Sequence, residues 1–338
     1  MKILENIKVP TGNILVVKGD DGKIECLSLG DYGKDVNLKA DFMGLTRDLT
    51  EVHHTKVMPL SEKWVVTIST QYGCSMGCKF CDVPKVGKGI NCTYDDIKNQ
   101  IVTAISLHPE VTSTKRLNVH YARMGEPTWN ENVLDFTRNM HHELYPYIGR
   151  SLMHPVISTM LPKYNEDLIH FLSEWMEIKN YDFRGDAGLQ FSINSTNNDE
   201  RDNMFNNNCV SIEEASEIGK NLDFPKGRKI TLNFAVAGYE INAEKLRDLF
   251  DPKKFVIKLT PMHKTHSALQ NNIKTIGDYT TYYPYQKHEE ELKKVGFDVL
   301  VFIASDYEDL GRITCGNAIL SGSMPECPYK IVDNKENT

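Results

Sequence analysis

The chain has 338 residues and a net charge of −7, from 39 basic and 46 acidic side chains. Its 40% apolar, 25% charged and 9% aromatic content excludes a disordered or fibrous chain, and the length suits two domains or one large α/β barrel with an appendage. The acidic total offers no general attraction to a polyphosphate surface, and no apolar run nears the ~18 residues of a membrane span, so a soluble, cytoplasmic protein is expected.

In chain order, residues 1–60 read as a small β-rich element. Two apolar runs, Asn13–Val17 and Lys23–Leu27, flank the turn sequence Gly19-Asp20-Asp21-Gly22, the pattern of a β-hairpin. From Trp64 the texture changes to strand and helix in alternation. Strands are predicted at Trp64–Thr70, Leu117–Ala122, Pro155–Met160, Gly188–Asn194, Lys229–Val236, Phe255–Pro261 and Asp298–Ala304. Helices are predicted between them at Tyr94–Leu107, Asn130–Leu144, Glu166–Met176, Ile212–Leu222, Ala243–Phe250 and Tyr285–Val295. Six or seven β/α units fit a partial (β/α) TIM-like barrel spanning residues 61–330 better than a Rossmann sheet. The Asn-rich stretch Asn203–Asn208 reads as a loop and residues 331–338 as a frayed tail.

Eight cysteines are too few for a disulfide scaffold at this length, and their placement is uneven. Cys74, Cys78 and Cys81 form a C-x3-C-x2-C loop directly after the first barrel strand, whereas Cys26, Cys92, Cys209, Cys315 and Cys327 are dispersed. Such spacing aims three thiolates from one loop at a single centre. An iron–sulfur cube normally takes four cysteine ligands, so three would leave one iron open for a substrate or cofactor. The other readings are a structural zinc site completed by Cys92 or a histidine, and three unrelated core cysteines.

The loop resembles the signature of radical S-adenosylmethionine (SAM) enzymes. Gly125-Glu126-Pro127, after the second barrel strand, is similar to the turn that receives the SAM ammonium group, and carboxylate and carbonyl oxygens suit that role. More specifically, Gln71–Thr93 resembles the cluster loop of the RlmN/Cfr-type RNA methyltransferases. Phe191–Asn194 with Asn197–Asp202 resembles that family's SLHAPNDEIRD segment, and Thr314-Cys315-Gly316-Asn317-Ala318 its ACGQLA segment. The likeness spans about residues 55–325.

This resemblance implies a [4Fe–4S] cluster on Cys74, Cys78 and Cys81. It implies SAM contacts at Gly125, Glu126, Ser158, Ser192, Asn194 and His263, and an electron donor such as flavodoxin or ferredoxin. In the family, SAM first methylates a late cysteine, here Cys315. A second SAM supplies a 5′-deoxyadenosyl radical that removes hydrogen from the S-methyl group, and the resulting carbon adds to an sp2 carbon of an RNA adenosine. The first expected function is therefore radical SAM methylation of RNA through Cys315. A second is the same chemistry on a small molecule, nucleotide or peptide without the usual disulfide-assisted release. A third is a non-catalytic iron–sulfur or zinc protein.

Three departures accompany the likeness. Thr67 stands seven residues before Cys74, where the family has the cysteine that pairs with the carrier, leaving Cys92 and Cys327 as candidates. His54, near His53 and Glu51, stands where the family has a basic glutamate, and imidazole is a suitable general base. The β-rich start replaces the family's helical RNA-binding extension, which with the acidic charge argues against RNA.

Overall fold

The computed structural model describes residues 1–31, 57–273, 283–303 and 306–326. The positions of Glu51, His53, His54 and Cys327 lie outside the described residues. Three antiparallel strands come first: β1 (Lys2–Val9), β2 (Gly12–Gly19) and β3 (Gly22–Leu29). β2 and β3 are the expected hairpin, with Gly19 opposite Gly22 and Asp20-Asp21 as its two-residue turn.

β4 (Trp64–Ile68) begins the alternating part, followed by a short ribbon of β5 (Gln71–Gly73) and β6 (Lys88–Asn91) around the cysteine loop. Then come α1 (Tyr94–Ile105), β7 (Leu117–Tyr121), α2 (Asn132–Ile148), β8 (Met153–Thr159), α3 (Leu168–Glu177) and β9 (Gly188–Ser192). α4 (Asn198–Met204), α5 (Ile212–Asn221), β10 (Ile230–Val236), α6 (Ala243–Leu249) and β11 (Phe255–Pro261) follow. α7 (His266–Gln270), α8 (Tyr283–Lys294), β12 (Val299–Val301) and α9 (Asp306–Leu310) complete the described elements. Every predicted strand and helix has its counterpart. The unanticipated α4, α7 and α9 have 7, 5 and 5 residues, too short to show apolar periodicity.

Local chemistry starts several helices. Thr93 and Asp96 form a reciprocal capping box on α1, and Ser211 and Glu214 do the same on α5. Asn197, Asn242 and Thr265 cap α4, α6 and α7 with side-chain oxygens that accept backbone N–H groups.

One sheet runs β1-β2-β3-β4-β7-β8-β9-β10-β11-β12. From β4 to β12 the neighbours are parallel and in chain order, the arrangement of a partial (β/α) barrel. β3 joins β4 antiparallel, with Leu27 opposite Thr67, so the N-terminal strands extend the barrel sheet. No helix among the described residues is long and apolar enough to cross a membrane.

Side chains alternate sharply along the parallel strands. Ile230, Leu232, Phe234, Ile257 and Leu259 face the helices and are fully buried in the main core, each contributing about 1.5–3 kcal/mol. The opposite face carries Thr67, His120, Ser158, Gln190, Asn233 and Lys258, which are partly exposed. The inner wall is thus polar and reachable by water, and the apolar core lies between sheet and helices.

Candidate functional site

The cysteine loop sits at the C-terminal rim of the barrel, where strand ends present side chains to a common mouth. β5 and β6 pair antiparallel across it, and the Cys74 N–H donates to Gly87 O at 3.1 Å. Gly73 takes φ +83°, and a Cβ there would lie 2.2 Å from Gly87 O, so this closure requires glycine. Beneath the loop lies a separate apolar cluster containing Met76, Cys78, Phe80, Met204, Phe205 and Met262.

The Asn-rich stretch, expected as a plain loop, buttresses the cysteines. The Lys79 N–H donates to Met204 O at 2.9 Å, the Asn208 amide to Met76 O at 2.8 Å, and Phe205 meets Phe80 edge-on at 5.6 Å. Asn206 and Asn207 both adopt positive φ, which asparagine tolerates better than most residues. No local pattern announces these contacts, because they join segments more than a hundred residues apart.

Burial pushes the Cys74 thiol up to about 12, and the Cys78 and Cys81 thiols well above their ordinary value. Cys78 and Cys81 also repel one another's ionised forms, and Glu126 adds to the effect at Cys74 and Cys78. Three mutually coupled thiols in an apolar pocket ionise only if a cationic centre joins them. Backbone N–H groups of Met76 and Val83 aim at the Cys74 and Cys81 sulfurs, as hydrogen bonds to cluster sulfurs do. Among the described residues no three His, Cys, Asp or Glu converge tightly enough to grip one ion.

Gly125 and Glu126 lie directly above. The Thr70 N–H donates to Met124 O at 2.8 Å, and the Gln71 side chain accepts the Glu126 N–H at 2.9 Å, which locks this turn to the strand feeding the cysteine loop. One Glu126 oxygen accepts the Thr128 N–H at 3.2 Å and hydroxyl at 2.9 Å; the other accepts the Met160 N–H at 2.9 Å. Burial raises the Glu126 carboxyl, and these donors hold it partly back. Gly125 has φ +95°, and a Cβ would fall 2.6 Å from Gln71 Cβ. Gly125→Ala is expected to destabilise the fold by about 1–3 kcal/mol, measured by denaturant unfolding. An unchanged midpoint would show that the turn has slack.

The other expected contacts separate into two groups. Ser158 and Ser192 end β8 and β9 on the inner wall, and the Ser158 hydroxyl accepts from Gln190 at 3.1 Å. Asn194, at φ +60°, is engaged within the fold: its carbonyl accepts the Ala235 N–H at 3.0 Å and its amide reaches the Met204 sulfur at 3.7 Å. His263 Nδ1 lies 2.9 Å from Asp309. Asp309, which the sequence did not single out, also accepts the Thr314 hydroxyl at 2.6 Å and the Lys264 N–H at 3.1 Å. His263 is thereby tied to the segment that carries Cys315.

Cys315 is exposed to the lumen yet surrounded by protein, and burial raises its thiol while Lys258 and Arg123 oppose that rise. Its neighbour Gly316 accepts the Asp82 N–H at 2.7 Å, and Cys81 and Cys315 act on one another electrostatically. Late cysteine and cysteine loop therefore share one mouth.

A pair absent from the sequence reading supports this. Arg123, at 4% exposure, donates to one oxygen of fully buried Glu25 at 2.9 and 2.6 Å and to Arg312 O at 2.9 Å. The other Glu25 oxygen accepts the Leu320 N–H at 2.7 Å. Ile14, Val16 and Leu27 of the hairpin pack with Ile313 and Ile319 on the same side. A glutamate inside the otherwise apolar run Ile24–Leu27 is the one sequence signal for it.

The thiols proposed as partners for Cys315 lie elsewhere or outside the described residues. Buried Cys92 points its sulfur at Ser69 O, 3.6 Å away, and its charged neighbours are Asp96, Asp21 and Asp20. Thr67 stands on the inner wall opposite His120 on β7.

No protein-family model matches the chain. A "Probable dual-specificity RNA methyltransferase RlmN" of Thermotoga neapolitana is 30% identical over 210 residues, 60% of this chain and 56% of that protein. Its namesake in Listeria welshimeri is 26% identical over 240 residues, 70% of this chain and 58% of that protein. The chain thus spans little more than half the length of these curated relatives. Among solved structures, a radical SAM methyltransferase from Sphaerobacter thermophilus matches with TM-score 0.59 and 17% identity, covering 94% of this chain and 80% of that one, a likeness of fold.

Proposed function

We propose, from its likeness to the RlmN proteins, that the chain is an RlmN/Cfr-type radical SAM methyltransferase that carries the transferred carbon on Cys315. In this reading Cys74, Cys78 and Cys81 hold a [4Fe–4S] cluster, which when bound supplies the electron for SAM cleavage. Gly125 and Glu126 receive the SAM ammonium, with Ser158 and Ser192 along the same rim. The observation that carries the reading is the common mouth: the Cys81–Asp82 backbone is hydrogen-bonded to Gly316 beside Cys315, so carrier and cluster loop are held together without a ligand.

The residues suggest how each does its part. The apolar pocket under the loop excludes water from the sulfur ligands. Glu126 keeps a carboxylate beside the open side of the thiols, where an ammonium would offset its burial. The Asp309–Thr314 and Arg123–Arg312 bonds fix the backbone on the N-terminal side of Cys315, limiting where an S-methyl carbon can swing.

By likeness to the RlmN proteins the acceptor is an sp2 carbon of an RNA adenosine. One feature favours the alternative of a small acceptor: the inner wall on the side of Cys315 is a partly exposed polar surface of strand residues. Anaerobic reconstitution followed by dithionite and SAM is expected to yield 5′-deoxyadenosine, and Cys81→Ala to abolish both the cluster absorbance and the nucleoside. Cluster-loaded protein that yields none would reduce the chain to an iron–sulfur binding protein.

A further inference from the structure

On the inner wall of the barrel, Lys258 has no carboxylate partner among the described residues. Lys258 projects from β11 onto the inner wall, and its ammonium lies 5.6 Å from the centroid of the Phe302 ring. Among the described residues it forms no salt bridge, and the titratable groups that act on it are Cys315 and Arg228, with no carboxylate. Enclosure lowers it to about 8, which leaves it mainly protonated at neutrality. The register sets Asn233 of β10 beside it, and the Asn233 carbonyl oxygen is buried without a hydrogen-bond partner. Ser192 of β9 stands on the other side of Asn233. On β7, His120 is held neutral, at about 3, by burial and by His154, Lys258, Lys63 and Arg228, all cations when charged.

A partly exposed ammonium with no described counter-charge and a buried amide oxygen without a hydrogen-bond partner are both unfavourable when nothing is bound. The overall charge of the protein is negative, so this local excess is not a reflection of composition. Both features become favourable together when an oxyanion with a hydrogen-bond donor enters.

We propose that Lys258, with Asn233 and His120, forms an oxyanion-binding site in the lumen for a low-molecular-weight substrate bearing a carboxylate or phosphoryl group. The anion anchors one end of the substrate on β10 and β11, and its other end reaches Cys315. The Asn233 amide turns its N–H toward the anion and its carbonyl toward a substrate donor. The inference deepens the reading of Cys315 as the carrier and rests on it for the direction of approach.

The test is thermal unfolding of the cluster-loaded protein at pH 7 and constant ionic strength, titrated with inorganic phosphate or with succinate. One of the two is expected to raise the wild-type midpoint saturably, by roughly 5 °C at a hundredfold excess over its Kd. Which anion does so tells a phosphoryl substrate from a carboxylate one. Lys258→Met should lose that response and, without anion, melt no lower than wild type, because the charge removed has no carboxylate partner among the described residues.

Equal responses in both proteins, or no response of wild type to either anion, overturn the proposal. So does a Lys258→Met protein that melts well below wild type, since Lys258 would then be a structural tether. Saturating SAM should leave the response intact; if SAM abolishes it, the site belongs to the SAM carboxylate. Formation of 5′-deoxyadenosine in the same preparation reports separately on the radical SAM reading, so the two can fail independently.

Discussion

Glu25→Ala should lower the unfolding free energy by about 3–5 kcal/mol, because it leaves the Arg123 guanidinium buried without its counter-ion. Glu25 is fully buried and both of its oxygens are occupied, one by Arg123 and the other by the Leu320 N–H. The melting midpoint is expected to fall by on the order of 10 °C. The double variant Glu25→Leu/Arg123→Met removes both charges and should recover much of the loss, as buried pairs replaced by apolar groups often do. Limited proteolysis supplies a second readout. Arg123 also holds Arg312 O, so the single variant should become cleavable within residues 310–322 under conditions where wild type is not. A single variant within ~1 kcal/mol of wild type would show that water already reaches the pair.

Cys315→Ala is expected to eliminate methyl transfer, by roughly 10³-fold or more, while SAM cleavage to 5′-deoxyadenosine continues. The proposed cluster ligands lie on a different segment, so the substitution removes the proposed carrier and leaves the proposed radical source. Intact mass of the wild-type protein should show Cys315 heavier by one CH2, and the variant should lack that increment. Methylated product from Cys315→Ala would sink the carrier role outright.

A related outcome follows from the surroundings of the thiol. Cys26 and Cys92 lie in other parts of the fold, Cys209 packs with Cys78 beneath the cysteine loop, and Thr67 cannot form a disulfide. With Thr67 in the place of the family's resolving cysteine, substrate adducts are expected to remain on Cys315 after expression in a host containing the acceptor and to be readable by mass spectrometry. Clean release in the absence of any thiol reductant or partner would mean that an exit other than disulfide formation operates.

The spacing of Cys74, Cys78 and Cys81 and the Gly-Glu-Pro turn were legible because each is a local pattern whose chemistry is contained in a few neighbouring residues. The strands and longer helices were legible for a similar reason, since apolar periodicity reports which face of an element is buried. Strand ITLNFAV shows both what this signal tells and what it omits. Its alternation announces a strand with one polar face, but not whether that face meets bulk water or an enclosed lumen.

The longer strands and helices, the fold class and the loop that presents three thiols can be read from the sequence alone, because each is a local pattern. Only the tertiary arrangement pairs Glu25 with Arg123, 98 residues apart, beside the segment that contains Cys315. It also decided that Asp309 would join His263 to Thr314, that the Asn-rich loop would brace the cysteines, and that Lys258 would face inward with no carboxylate partner among the described residues. Burial and charge pairing depend on which distant segments the sheet brings together, and no window of neighbouring residues contains that information.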